Sequence, residues 1–514
     1  MSAEEMLAGD FGSVPDVIRA KAEQRPTKTA LIDPCRTATY AELDTIMDRI
    51  ASALQRDGVR PGECIALCAD SSVEFMAAYL GILRAGAIAA PLTPSLRPET
   101  LADQLADCIA RIVFVDAATT RTLAPVRGRI TGRLVTLDGS AGGVSFENWM
   151  MQPGTRPAPV QTSPDRGFNI MYSSGTTGTP KGILQSHRMR WNQIRSGGYG
   201  EGSVTLVSTP GYSNATFVTV LPTLARGGTA VLMARFDAGE FLRLSERHRT
   251  TQAMLVPVQY RAILQRADFD QYDLTSYRMK FCTSASFSAE LKAEVVRRWP
   301  GRLVELYGMT EGGGSCALHC HAHPDKLHTV GQPLPGHDIR LIDEEGREAL
   351  RGETGEVVGR SPTMMSGYHN QPDRTAEAEW LSPEGLRFIR TGDIGRFDAD
   401  GFLILIDRRK DMIISNGLNI YPSDIEAQLV RHPLVAEAAV AGLPSERSGE
   451  TPVAFAVLTP GSKIESEALR AWLNDRVGET QRVSDLRIVH ALPRSPIGKV
   501  LKRELRDTYL GTKS

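Results

Sequence analysis

Ten consecutive residues, Ser173 to Gly182, hold five hydroxyl side chains, three glycines and one lysine. The hydroxyls of Ser173, Ser174, Thr176, Thr177 and Thr179 are rotating donors. Gly175, Gly178 and Gly182 let backbone N–H groups approach a ligand closely, and Lys181 adds a point charge. A polyphosphate, whose oxygens only accept hydrogen bonds, suits such a loop. The segment is not a Walker loop, because Pro180 precedes the lysine and no helix opens at once. The apolar run Phe168–Tyr172 leads straight into it, which places it at the end of a strand. Two histidine features carry less chemistry. His319, His321 and His323 alternate, so on a strand they would share one face, and three imidazoles could bind zinc. Their spacing matches no zinc pattern, and a surface strand edge is the reading taken. His187 follows Ser186, a helix N-cap candidate, and reads as structural.

The elements that must position these residues show as periodicity. Tyr40–Gln55 and Phe75–Leu83 carry apolar residues at helical spacing. Cys64–Cys68, Gly86–Pro91, Arg111–Val115, Phe168–Tyr172, Val204–Ser208 and Thr229–Met233 are short extended runs. Strands separated by helices from Val14 to about Lys410 predict an α/β fold with parallel or mixed sheets flanked by helices. Past Asp407 the texture changes. Ser423 and Glu426 have capping-box spacing and predict a helix start. Extended runs at Ala436–Ala441 and Val453–Leu458, then a helix at about Glu465–Val477, predict a small α+β domain. The expected division is residues 1–409 and 410–514.

Composition narrows the class. A chain of 514 residues favours more than one domain. Apolar residues make up 41%, and Gly plus Pro is 47 + 30 = 77, so disordered and fibrous classes are excluded. Lys+Arg 59 against Asp+Glu 60 leaves no basic excess for a nucleic-acid backbone. The longest apolar stretch, Phe75 to Leu92, is interrupted by Arg84, so no membrane span is expected. The opening MSAEEMLAGDFG has no basic-then-apolar signal region. Seven cysteines, an odd number with no C-x-x-C, are expected to be reduced thiols in a cytoplasmic protein.

The segment YSSGTTGTPKG, Tyr172–Gly182, resembles the phosphate-binding signature of the adenylate-forming enzymes, which include acyl- and aryl-CoA synthetases, luciferases and peptide-synthetase adenylation domains. Five other segments resemble the same family in the expected order: Tyr307-Gly308-Met309-Thr310-Glu311, Arg390-Thr391-Gly392-Asp393, Asp407-Arg408-Arg409-Lys410-Asp411, Gly417-Leu418-Asn419-Ile420-Tyr421-Pro422 and Pro493-Arg494-Ser495-Pro496-Ile497-Gly498-Lys499. Together the six cover about 330 residues, from Tyr172 to Lys499. The resemblance implies a large N-terminal domain and a small, mobile C-terminal one. It also implies a two-step reaction. A carboxylate attacks the α-phosphate of ATP to give an acyl-adenylate and pyrophosphate, and the thiol of coenzyme A then displaces AMP.

Roles follow from the resemblance, residue by residue. The loop Ser173, Ser174, Gly175, Thr176, Thr177, Gly178 and Lys181 would hold the β- and γ-phosphates. Glu311 would be the Mg2+ carboxylate, an oxygen donor suited to a hard cation. Thr310 would bond the α-phosphate. Tyr307 and Gly308 would lie against the adenine, with Ser284, Ala285 and Ser286 as its other wall, where relatives more often carry glycine and proline. Asp393 would accept from the ribose hydroxyls, and Arg408 would touch the nucleotide. Lys499 would be the catalytic residue of adenylation, neutralising developing charge beside the α-phosphate. Lys410 matches the hinge. Gly417, Leu418 and Asn419 would line the CoA channel.

Tyr212, Ser213 and Asn214 fall where the family builds its acyl pocket. Ser213 replaces a histidine or aromatic, and Tyr212 is taken as its substitute. Gly312 and Gly313 follow Glu311 and either open a wall of the pocket or form a turn. No acid lies between Pro210 and Leu221 to pair an amino-acid ammonium. The expectation is a carboxylic acid–CoA ligase acting on an aromatic or phenylpropenoic acid. Medium- or long-chain fatty acids, and loading of a carrier protein, are the alternatives. The partners are then the acid, ATP and CoA, with no nucleic acid; a homodimer is left open.

Overall fold

The helix Tyr40–Arg56 starts where the sequence sets a reciprocal cap. The Thr39 side chain accepts from the Glu42 N–H, and the Glu42 carboxylate accepts from the Thr39 N–H. The long apolar stretch resolves into two elements. Helix Val73–Arg84, capped by Ser72, is followed by strand Ile88–Pro91, with Gly86 at φ +71° making the turn between them. Arg84 is buried at the helix end and pairs with Asp44 at 2.6 Å and Asp48 at 3.0 Å. Among the described residues no helix is long and apolar enough to cross a membrane. The structure is a computed structural model that describes residues 1–173, 180–195, 198–350, 352–415, 418–445, 449–495 and 498–511.

By packing, the chain divides into two units. The larger comprises Met1–Leu327, Leu334–Asp338 and Arg360–Ile389; the smaller comprises His328–Pro333, Ile339–Gly359 and Arg390–Ser514. In the larger unit an eight-stranded sheet runs Gly367–Tyr368, Lys181–Ser186, Gly167–Ser173, Ile88–Pro91, Cys64–Cys68, Ile112–Val115, Arg133–Thr136 and Val144–Ser145. Successive residues of Cys64–Cys68 enter different apolar clusters: Ile65 and Leu67 one, Cys64, Ala66 and Cys68 the other. Both faces of that strand are therefore covered, as a parallel sheet requires. A second sheet holds, in spatial order, Ser315–His319, Arg302–Gly308, Met279–Cys282, Gln252–Leu255, Val204–Val207, Thr229–Leu232, Thr29–Ile32 and Thr37–Thr39. From Arg302–Gly308 to Thr29–Ile32 its neighbours are parallel. Loops leaving the carboxyl ends of its strands consequently share one edge, the usual place for a ligand crevice in an α/β sheet.

The smaller unit contains a sheet of Leu418–Ile420, Ile413–Ser415, Gly449–Leu458 and Val435–Ser445, with Asp485–Ile488 parallel to Gly449–Leu458. Val440 enters one apolar cluster with Ile413, Leu429 and Leu469, while Ala439 and Ala441 enter another with Phe455, Leu505 and Tyr509. Helices Pro422–Val430, Ser466–Asn474 and Lys502–Gly511 supply both. The fold class is as expected, a large mixed α/β part with a smaller α+β one.

Two local expectations are corrected. Ser423 and Glu426 make no capping box. The helix starts at Pro422, which needs no N–H partner, and Ser423 donates to the Ile406 carbonyl at 2.5 Å, while Glu426 accepts from the Val440 N–H at 2.7 Å. The three histidines do not share a strand face either. The strand ends at His319, and the N–H groups of Ala322 and His323 bond back to the His319 carbonyl in a turn. Among the described residues no group of three or more His, Cys, Asp or Glu is placed to hold a metal. All seven cysteines are unbridged, and only Cys35 is exposed.

Candidate active site

The hydroxyl-rich segment joins two antiparallel strands, with Tyr172 opposite Gly182 and Ser173 opposite Lys181. Ser174, Gly175, Thr176, Thr177 and Gly178 lie outside the described residues. The flanks are anchored. The Tyr172 hydroxyl donates to Asp107 at 2.5 Å, and a Cβ at Gly182 would come within 2.8 Å of Ile170 and 3.1 Å of the Tyr172 ring. Lys181 then projects over the Tyr368 ring, its ammonium 4.0 Å from the centroid. The Tyr368 hydroxyl donates to Glu311 at 2.8 Å. Burial and the adjoining Glu311 carboxylate push that phenol up, so it stays a donor. One ring thus joins the expected phosphate lysine to the expected magnesium carboxylate, which is buried.

Glu311 is held on a turn after strand Arg302–Gly308, and its carbonyl accepts from the Met365 N–H at 2.8 Å. Gly312 stands at φ +72°, and a Cβ there would fall 1.6 Å from the Thr363 carbonyl oxygen. That glycine is required by a close backbone approach. Gly313 lies on the same turn. The Thr310 carbonyl accepts from the Gln185 side chain at 2.7 Å. Tyr307 and Gly308 end the strand beside Met279–Cys282, from which Ser284, Ala285 and Ser286 emerge. Ser284 has φ +78°, a left-handed backbone that favours glycine. Tyr212 and Ser213 leave strand Val204–Val207 at the same sheet edge, and Asn214 opens helix Asn214–Ala225. His187 is buried edge-on against Phe168, which pushes its imidazole down to about 4, and Ser186 caps its helix by accepting from Met189 at 3.2 Å.

The smaller unit gathers the remaining charged residues. Asp393 and Arg408 face each other across an antiparallel pair and form an ion pair at 3.0 Å. Lys499 sits on a tight turn in which Ser495 and Lys499 exchange hydrogen bonds and Gly498 stands at φ +79°. Burial, then the like charges of Arg408 and Lys410, push its ammonium down to about 8 against the attraction of Asp393 and Asp411. Lys410 lies on the short turn Arg409–Asp411. The flanking Arg390 and Arg409 both bond the buried carboxylate of Glu356. Gly417 lies outside the described residues. Leu418 and Asn419 pair in a strand with Ser415 and Ile414.

Tyr368, Glu356 and Gln185 were not anticipated. A lone tyrosine or glutamate carries no periodic signal. Gln185 did carry one: like Asn169, it is a polar residue inside a buried strand run, and both are fully buried.

Comparison with known proteins shows the family and the fold. The family model described as AMP-binding enzyme matches residues 18–369, and that of the AMP-binding enzyme C-terminal domain matches 424–499. A feruloyl-CoA synthase of an Amycolatopsis species is 32% identical over 95% of this chain and 97% of its own length. An indoleacetate–CoA ligase of Aromatoleum aromaticum is 33% identical over 94% and 95%. A crystal structure of an anthranilate CoA ligase in complex with anthranoyl-AMP superposes with a TM-score of 0.86 at 27% identity, covering all of both chains.

Proposed function

The chain belongs to the AMP-binding, adenylate-forming enzymes and is an AMP-forming acid–CoA ligase, and from that premise we propose that its acid is aromatic or phenylpropenoic. The supporting observation is likeness over nearly the full length of both chains to ligases named for ferulate and indoleacetate. In the first half-reaction a carboxylate oxygen of the acid forms a bond to the α-phosphorus of ATP, and the bond to the bridging oxygen breaks, releasing pyrophosphate. In the second, the sulfur of CoA bonds the acyl carbon, AMP leaves with the former carboxylate oxygen, and the thiol proton goes to solvent.

In this reading Lys181 and the hydroxyl loop hold the outer phosphates, Thr310 bonds the α-phosphate, and Tyr307 with Ser284–Ser286 flanks the adenine. Asp393 accepts from the ribose. Lys499 holds the attacking carboxylate beside the α-phosphorus. The small domain, residues 410–514, turns about Lys410 between the half-reactions, and Gly417–Asn419 then line the thiol channel. Glu311, a buried carboxylate with one oxygen accepting from Tyr368, would hold a magnesium ion, which would supply charge neutralisation there. The test is AMP release with ATP, CoA and a panel of cinnamic, benzoic, indolic and straight-chain acids. Turnover at least tenfold faster on straight-chain acids would overturn the aromatic assignment.

A further inference from the structure

A guanidinium is buried in the larger unit, and among the described residues no carboxylate pairs with it. Arg190, on helix His187–Arg195, is fully buried, and three side-chain oxygens take its hydrogen bonds: Asn169 at 3.0 Å, Gln193 at 2.9 Å and Asn214 at 2.7 Å. An aromatic ring also faces it. Its Cζ lies 5.7 Å from the Phe217 ring centroid, and Phe217 stacks on Tyr79 at 4.2 Å. Burial pushes the guanidinium down to about 10.

Arginine only donates, so each amide that meets it must turn its oxygen inward and its NH2 outward. Along one branch the consequence propagates. The Asn169 NH2 donates to the Gln185 oxygen at 3.1 Å, and the Gln185 NH2 donates to the Thr310 carbonyl at 2.7 Å. One arginine therefore sets the orientation of two further amides and ends on the backbone of a residue in the nucleotide segment. Along the other branch, the Asn214 oxygen accepts from Arg190 and, at 3.5 Å, from Gln185. Among the described residues nothing accepts from the Asn214 NH2. Asn214 is half-buried at the first turn of helix Asn214–Ala225, on the sheet edge where the strand-end loops meet.

We infer that Asn214 is a specificity-determining donor to the acid, that Arg190 is the positioning residue which fixes its orientation, and that the preferred acid carries a hydrogen-bond acceptor on its ring or chain. This rests on the acid-activating reading above. An amide free to flip would serve acceptor and donor substituents alike; one whose oxygen is committed to a buried cation offers only a donor. An acid without an acceptor there leaves that donor desolvated and unmatched, which is what discriminates against it.

The test compares matched acids differing in one atom: cinnamates with a methoxy group at each ring position against the ethyl analogues, and octanoate against its positional ether analogues. With the wild type, at least one ether-bearing acid should exceed its methylene match by about tenfold in kcat/KM. Asn214→Leu and Asn214→Asp should bring that ratio to about one while leaving the KM for ATP within about twofold. Arg190→Lys keeps the charge but cannot hold three oxygens, and should lower the ratio more than it lowers kcat on the methylene acids; a merely structural role would lower both acids together. No preference in the wild type, or a preference that survives both Asn214 substitutions, overturns the inference. If only the straight-chain pairs turn over, the aromatic reading fails and those pairs decide the role of Asn214.

Discussion

Lys181 and Lys499 sit in opposite settings. Lys181, on a sheet strand of the larger unit, lies over the Tyr368 ring, one hydrogen bond from the Glu311 carboxylate. Lys499, on a turn of the smaller unit, is pushed down to about 8 by burial first and then by the like charges of Arg408 and Lys410. The first is a fixture whose surroundings welcome the charge. The second is a cation that burial and two like charges disfavour, so an incoming anion stabilises it more than it would a satisfied lysine. On the proposed reading, the difference separates a residue that would hold a substrate continuously from one whose stabilisation would be realised when reacting anions arrive.

The widest break of that comparison is Lys499→Ala. Adenylation should fall about 10²- to 10³-fold, the cost of removing one charge-stabilising donor, measured as pyrophosphate release. Thioester formation from supplied acyl-adenylate should be largely retained. Equal loss of both half-reactions would mean that Lys499 does not separate them. On the other side, Tyr368→Phe removes the hydroxyl that bonds Glu311 while leaving a ring face for Lys181. About a tenfold loss in kcat/KM for ATP is expected, from one hydrogen bond to a charged acceptor, with the acid's KM little changed. An unchanged ATP dependence would show that Glu311 needs no such support.

The pH profile sharpens the contrast. If Lys499 holds the attacking carboxylate as proposed, adenylation needs it protonated, and its rate should decline as pH rises through about 8, while the loss should be absent from thioester formation on supplied adenylate. Arg408→Gln removes a like charge, favours the ammonium, and should move the falling limb up by about half a unit. Asp393→Asn removes an opposite charge and should move it down. Both limbs staying in place would show that another group sets the profile.

Half of this contrast was legible in the sequence. Lys181 and Lys499 each stand in a glycine-bearing segment, and the resemblance of those segments to a known family implies a role for each. The strands around them showed as apolar runs, with Cys64–Cys68 matched at both ends because a buried strand excludes polar residues. Their settings were not legible. Tyr368 meets Glu311 across 57 residues and Gln185 meets Thr310 across 125, and such pairings leave no local pattern. The Ser423–Glu426 spacing misled for the related reason that tertiary partners, Ile406 and Val440, took the side chains a local cap would have used.

The smallest expected effect tests whether the larger unit's half of the site is held by its sheet. Ser284 adopts φ +78° at the carboxyl end of strand Met279–Cys282, a conformation that costs a non-glycine residue about 1 kcal/mol. Ser284→Gly relieves that cost but enlarges the freedom of the unfolded chain, which offsets part of it. The net should be a stabilisation of about 0.5 kcal/mol, a rise in Tm of about 1 °C by calorimetry, with the KM for ATP unchanged. The fixed strand ends would hold the loop where it already is. A drop in Tm, or a raised KM for ATP, would mean that the serine side chain itself orders the loop, and that this part of the site depends on side-chain contacts as the Lys499 turn does.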